Sequence, residues 1–169
     1  MKKILFALTA VAAFGATQTT FAQSIGAKEL ADIQAQITAL QADKRQVMLD
    51  TLALSPQQLE KFTPIYDEYQ AERKKIMTAA TNLNNRLFVA DLGGMTDVEA
   101  KDIMNQAFKL RHDRLSLLEK YAGKLEKKLP STKVFQFVQV ENKIQALLDV
   151  AAAASIPIVT KTPNTSIAK

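Results

Sequence analysis

Residues 54–90 constrain this chain more than any other stretch. They open Leu54-Ser55-Pro56-Gln57-Gln58 and continue with Leu59, Phe62, Tyr66, Tyr69, Ile76, Ala80, Leu83 and Leu87. Ser55 can cap the first free backbone N–H groups with its hydroxyl. Pro56 falls at the first helical position, where its missing N–H costs nothing, and Gln58 can reach back to close a capping box. Apolar residues then recur at steps of three and four, the rhythm of one helical face. The spacing predicts a long amphipathic helix over 56–90 with a fixed origin. Pro64 lies inside it and predicts a bend near residues 60–64 rather than a stop, because the apolar rhythm continues through Tyr66 and Tyr69.

The start of the chain reads as a targeting segment. Lys2 and Lys3 precede an apolar run from Ile4 to Gly15, too short for a bilayer span, and Thr20-Phe21-Ala22 has cleavage-site geometry. A signal peptide over 1–22, cut near Ala22, predicts an exported protein and, with its Lys-Lys start, a bacterial periplasmic one. Removing residues 1–22 from 169 leaves 147, one domain's worth. The 22 basic residues fall to 20 without Lys2 and Lys3, against 17 acidic, a mild net charge of +3. The charges are mixed along the chain, which argues against a nucleic-acid partner. The chain has no cysteine, so disulfides and a lipid-anchored cysteine are excluded, and its 5 glycines are too few for the turns of many short strands.

The expected fold class is all-α: four helices with a long central antiparallel hairpin, curved, in a single domain over 23–154. The helices are expected at about 27–52, 56–90, 97–128 and 132–154, followed by a partly disordered, extended tail over 155–169 that contains Pro157 and Pro163. In the first helix Leu30, Ile33, Ile37, Leu40, Val47 and Thr51 form a narrow stripe that Lys44 interrupts, suiting loose packing or a second copy of the chain. Gly93 and Gly94 mark the hairpin turn, and Thr96 with Glu99 repeats the capping box. The third helix carries the stripe Met104, Ala107, Phe108, Leu115, Leu118, Ala122, Leu125 and Leu129, and the fourth carries Val134, Phe137, Val138, Ile144, Leu147, Leu148 and Ala151. Folding about residue 93 brings together residues whose numbers sum to about 186. That register predicts a polar layer in mid-hairpin, with Arg73 near Asp113 or Arg111 near Glu72.

No catalytic constellation can be assembled, so the chain reads as a non-enzyme with no cofactor. His112 is the only histidine and sits in the charged run Arg111-His112-Asp113-Arg114, whose neighbours diverge on a helix. Met48, Met77, Met95 and Met104 are spread too widely for a metal cluster, and methionine at helical spacing is ordinary core filler. Phe62, Tyr66, Tyr69 and Arg73 lie on one side of the long helix, with Lys61, Lys74 and Lys75 around them. They read either as core with a solvated flank, or as an amphiphilic, basic-rimmed concave surface for unfolded or membrane-derived chains.

The run Leu54-Ser55-Pro56-Gln57-Gln58, followed by Phe62-Thr63-Pro64-Ile65-Tyr66-Asp67-Glu68-Tyr69, resembles the LTXXQ-motif periplasmic proteins, the Spy- and CpxP-like family. Leu54, Ser55 and Gln58 occupy the motif's fixed positions, with serine keeping the capping hydroxyl. At the place of the family's second copy stands Leu129-Pro130-Ser131-Thr132-Lys133, where leucine is kept and lysine replaces glutamine. The resemblance implies an ATP-independent chaperone or envelope-stress modulator. Its implied partners are unfolded or envelope proteins, or a sensor-kinase periplasmic domain, and it allows a homodimer. The other readings are a metal-responsive sensor or scavenger of the same helical family and a purely structural interaction protein.

Overall fold

The computed structural model describes residues 32, 35, 43–156 and 158. The expected signal segment, most of residues 27–42 and nearly all of the tail lie outside the described residues. Asp32 and Ala35 are helical. The described chain is all-α: α1 (43–52), α2 (Pro56–Gly93), α3 (Asp97–Glu126) and α4 (Ser131–Ser155), with no strand among the described residues. Among those residues no helix is long and apolar enough to cross a membrane.

Local chemistry sets the helix boundaries. The Gln58 N–H donates to Ser55 Oγ at 3.3 Å, and the Ser55 N–H donates to Gln58 Oε1 at 3.1 Å, with Pro56 at the first helical position. Two otherwise orphaned donors are thereby satisfied reciprocally. Thr96 and Glu99 do the same for α3, at 3.2 and 3.0 Å. The helix over 56–93 continues unbroken through Pro64. α1 ends where Ala53 adopts a left-handed φ of 43° and donates its N–H to the Leu49 carbonyl at 2.9 Å, an arrangement in which glycine is the usual residue. Pro130 begins α4 without a side-chain cap. Lys133, in the first turn of α4, donates its ammonium to the Leu52 carbonyl at the end of α1. One of α1's terminal acceptors is satisfied by a cation placed favourably for its dipole.

α2 and α3 form the antiparallel hairpin, pinned by Arg86–Asp102 at 2.8 Å, Glu72–Lys120 at 3.0 Å and Glu68–Lys124 at 2.5 Å. Those pairs sum to 188, 192 and 192, so the chain folds about residues 94–96 rather than 93. The cause is local: Gly93 stays helical, and only Gly94, at φ 84°, leaves the allowed region of other residues. α4 runs alongside α2 in the same direction, through Tyr69–Glu141 and Arg73–Gln145. α1 runs against both, through Lys44–Gln70 and Lys44–Glu141.

The core gathers at the base of the hairpin. Met48, Leu52, Phe62, Tyr66, Tyr69, Leu117, Leu118, Tyr121, Leu125, Leu129, Val134, Phe137, Val140 and Ile144 form one cluster drawn from all four helices and the α3–α4 link. Toward the tip the buried residues are Leu83 and Ile103. Two expected stripes are displaced in part. On α1 the inward line is Lys44, Met48 and Leu52, whereas Thr51 is exposed and bonds back to the Val47 carbonyl at 2.7 Å. On α3 the buried residues are Ile103, Leu117, Leu118, Tyr121 and Leu125, so Leu118 and Leu125 of the expected stripe face the core, with Leu129 beyond the helix, whereas Met104, Phe108 and Leu115 are exposed. The expected α3 stripe holds from Leu118 through Leu129 and leaves the buried line toward the tip, where Ile103 takes the inward position.

Candidate functional site

The described molecule contains one buried ionic cluster, centred on Glu141 of α4. Its side chain is 2% exposed. Lys44 Nζ of α1 lies 2.8 Å from one carboxylate oxygen and 2.9 Å from the other. The Tyr69 hydroxyl donates at 3.0 Å, Gln70 Nε2 at 3.4 Å, and Arg73 Nε stands 3.5 Å away. Arg73 also donates to Gln145 Oε1 at 3.3 Å. Three helices thus meet on one carboxylate, whose oxygens are engaged by two cations, a tyrosine hydroxyl and an amide. A buried charge in such a frame fixes how helices sit against one another.

An aromatic cluster adjoins it. Phe62 and Tyr66 stack at 5.0 Å between centroids, Phe137 stands edge-on to Tyr69 at 5.4 Å, and Tyr69 lies 5.5 Å from Tyr121. The edge-on geometry sets the positive rim of one ring against the negative face of another. From α1, Lys44 sits over the Tyr69 ring at 5.8 Å and Arg45 over the Tyr66 ring at 5.9 Å. Arg45 also pairs with Asp67.

This geometry corrects the exposed-surface reading of Phe62, Tyr66, Tyr69 and Arg73. All four are buried, Arg73 at 9% exposure, with the tyrosines beneath the cations of α1. The motif residues Ser55 and Gln58 are caps, as expected, and Leu54 packs half-buried against the core. Arg73 turns to α4 instead of Asp113, which pairs with Lys109 at 2.5 Å, while Glu72 takes Lys120 and the Tyr121 hydroxyl at 2.8 Å. Glu141, Lys44, Tyr121 and Phe137 are the members of this site that the sequence reading did not bring together.

Burial raises the hydroxyl pKa of Tyr66 and Tyr69, with the Glu141 charge acting in the same direction. Burial, then Glu72, raises that of Tyr121. These are the only 3 tyrosines of the chain. A phenol whose folded pKa lies above its unfolded value contributes stability below the unfolded pKa, and that contribution is lost as pH rises through the folded pKa. Stability is therefore expected to fall from about pH 10 upward. Tyrosinate absorbance should appear together with loss of helical circular dichroism; tyrosine titration in a fully helical protein would contradict this.

His112 is exposed, with its Nε2 3.5 Å from Ser116 Oγ. Among the described residues no group of three or more His, Cys, Asp or Glu side chains could hold a metal ion. Comparison with protein-family models, curated proteins and solved structures finds no match.

A second feature lies away from the polar cluster. The tip of the hairpin extends beyond the core as two helices and exposes large apolar side chains. Phe88 and Val89 on α2, and Val98, Met104 and Phe108 on α3, are each about half exposed or more, and the half-exposed Leu115, beside the Arg114 that pairs with Asp149 of α4, continues them toward the base. Met104, Phe108 and Leu115 follow one helical line, with the exposed Arg111 between the last two.

Proposed function

We propose that this chain is a non-catalytic periplasmic binding protein of the LTXXQ type, acting as an ATP-independent chaperone or stress-signalling modulator. The observation that carries this reading is the uncovered apolar line Met104, Phe108 and Leu115, with Phe88 and Val89 on the partner helix. Scattered apolar residues on a surface need no explanation, but a line of large ones along a single helix is what a binding surface for apolar chains requires. Lys101 and Arg111 flank it and keep the face wet and soluble when empty. The signal-like segment over residues 2–22 supports export. The hairpin supports the resemblance in its helical layout and in the Ser55 and Gln58 cap.

Purified chain 23–169 is expected to slow the aggregation of an unfolded test protein without ATP at near-stoichiometric amounts. Met104→Gln, Phe108→Ser and Leu115→Gln together should abolish most of that effect. The three positions are exposed, so stability should change by no more than about 0.5 kcal/mol at each. Absence of suppression by the unaltered chain, or full suppression by the triple variant, would overturn the reading.

A further inference from the structure

The two flanks of α3 differ in how their charges are used. Asp102, Lys109, Asp113, Lys120 and Lys124 follow one line, and each is paired: Asp102 with Arg86, Lys109 with Asp113, Lys120 with Glu72 and Lys124 with Glu68. Nearly opposite, at alternating steps of three and four, stand Lys101, Met104, Phe108, Arg111 and Leu115. All five are exposed, the three apolar ones by about half. Neither Lys101 nor Arg111 has an ion-pair or hydrogen-bond partner among the described residues. The neighbouring carboxylates are already engaged: Asp102 also accepts from Gln106, Asp149 of α4 accepts from Arg114 and Gln145, and Glu99 closes the α3 cap. Asp97, one turn before Lys101, lies in the first turn of α3, where a negative charge meets the positive end of the dipole. The apolar line therefore carries two uncompensated positive charges, ten residues or about 15 Å apart.

Resting on the reading that this face binds apolar chains, we infer that the line is a seam for an acidic amphipathic helix. A three-four repeat is the spacing at which side chains of one helix enter the gaps of another, so the fitting occupant is helical. Lys101 and Arg111 stand in the line rather than beside it. On a membrane, an apolar face sinks between cations that ride at its rims; here Arg111, between Phe108 and Leu115, would be carried down with them. The exposed Asn105 and His112 flank the line and keep its apolar part narrow, one residue wide. A partner helix instead brings carboxylates alongside Lys101 and Arg111 while its apolar residues meet Met104, Phe108 and Leu115. Carboxylates set ten residues apart on that helix match the two cations, whereas lysines there meet like charge.

The test uses two labelled, three-heptad synthetic helices with leucine along the seam. One carries two glutamates ten residues apart at the seam's edge, and the other carries lysines at the same places. Fluorescence anisotropy with the chain 23–169 at low salt should give an affinity at least about tenfold higher for the glutamate helix, a preference that shrinks as salt rises. Lys101→Glu with Arg111→Glu should reverse the order. Met104→Gln with Phe108→Ser and Leu115→Gln should remove binding of both helices. All five positions are exposed, and circular dichroism checks that the variants stay helical. Lys101→Gln with Arg111→Gln, which adds no repulsion, should bring the two affinities together. Equal affinities in the unaltered chain, or an order untouched by either charge change, would overturn the seam. So would capture by anionic phospholipid vesicles, lost in the triple variant, with no binding of the glutamate helix; the line would then be a membrane contact. If the glutamate helix binds as described but the chain never slows aggregation, the proposed function falls and the seam stands. If aggregation is slowed while the two helices bind alike, the seam falls and the proposed function stands.

Discussion

Replacing Glu141 with leucine is expected to cost about 3–5 kcal/mol of folding stability. Leucine matches the volume of the side chain well, so the loss is electrostatic rather than steric. Lys44 and Arg73 would be left facing each other in a buried space with no counter-charge, and the Tyr69 hydroxyl would lose its acceptor. Arg73, in the middle of α2, is 9% exposed and would keep most of its side chain out of water. Against a total of about 5–15 kcal/mol for an ordinary domain, this is a large fraction. Thermal unfolding followed by circular dichroism should show a midpoint lower by about 10–20 °C. The comparison is Asp67→Ala, which removes the 51%-exposed partner of Arg45 and should cost less than about 1 kcal/mol. Equal effects of the two substitutions would mean that Glu141 is solvated and that the three-helix junction does not depend on it.

Phe137→Ala is expected to be comparably damaging, for a different reason. Phe137 is fully buried and stands edge-on to Phe62, Tyr66 and Tyr69 at 6.3, 6.4 and 5.4 Å. Truncation removes apolar burial, leaves a cavity among rings on α2 that cannot collapse far, and deletes three edge contacts. Such losses total about 3–5 kcal/mol. The control is two residues away: Phe135 is 62% exposed, and Phe135→Ala should change stability by no more than about 0.5 kcal/mol. Denaturant titration of both variants measures the difference. A small effect at Phe137, with an unchanged dependence on denaturant, would show that the aromatic cluster is not the centre of the core.

What was legible in the sequence follows the range of the forces involved. Capping is local chemistry between residues three apart, and both boxes, at Ser55 with Gln58 and at Thr96 with Glu99, stand as read. The four-helix, all-α layout was legible for the same reason. Helix faces were less so. On α3, Met104, Phe108 and Leu115 keep as good a three-four rhythm as Ile103, Leu117 and Tyr121. Only the partner helix decides which line turns inward. On α2, the aromatic positions were right but their environment was not, because the covering helix is remote in sequence. Lys44 and Arg73 were visible as charges interrupting apolar stripes, yet the carboxylate that explains them lies 97 residues from Lys44. Glu141 interrupts the α4 stripe between Phe137 and Ile144 in the same way. Two basic interruptions and one acidic one were complementary, and pairing them was the available signal.

With the core confined to one end of the hairpin, resistance to opening is graded along the length of the molecule. At the base, four helices interlock, and any separation exposes aromatic surface and unpaired charge. At the tip, two helices share little more than Leu83, Ile103 and the Arg86–Asp102 pair. A protein built this way can fray like the jaws of a clothes-peg while its spring stays closed. The apolar side chains near Phe88 and Phe108 thus sit on the most deformable part of the backbone, where a surface can reshape itself around partners of different contour at little cost to the fold.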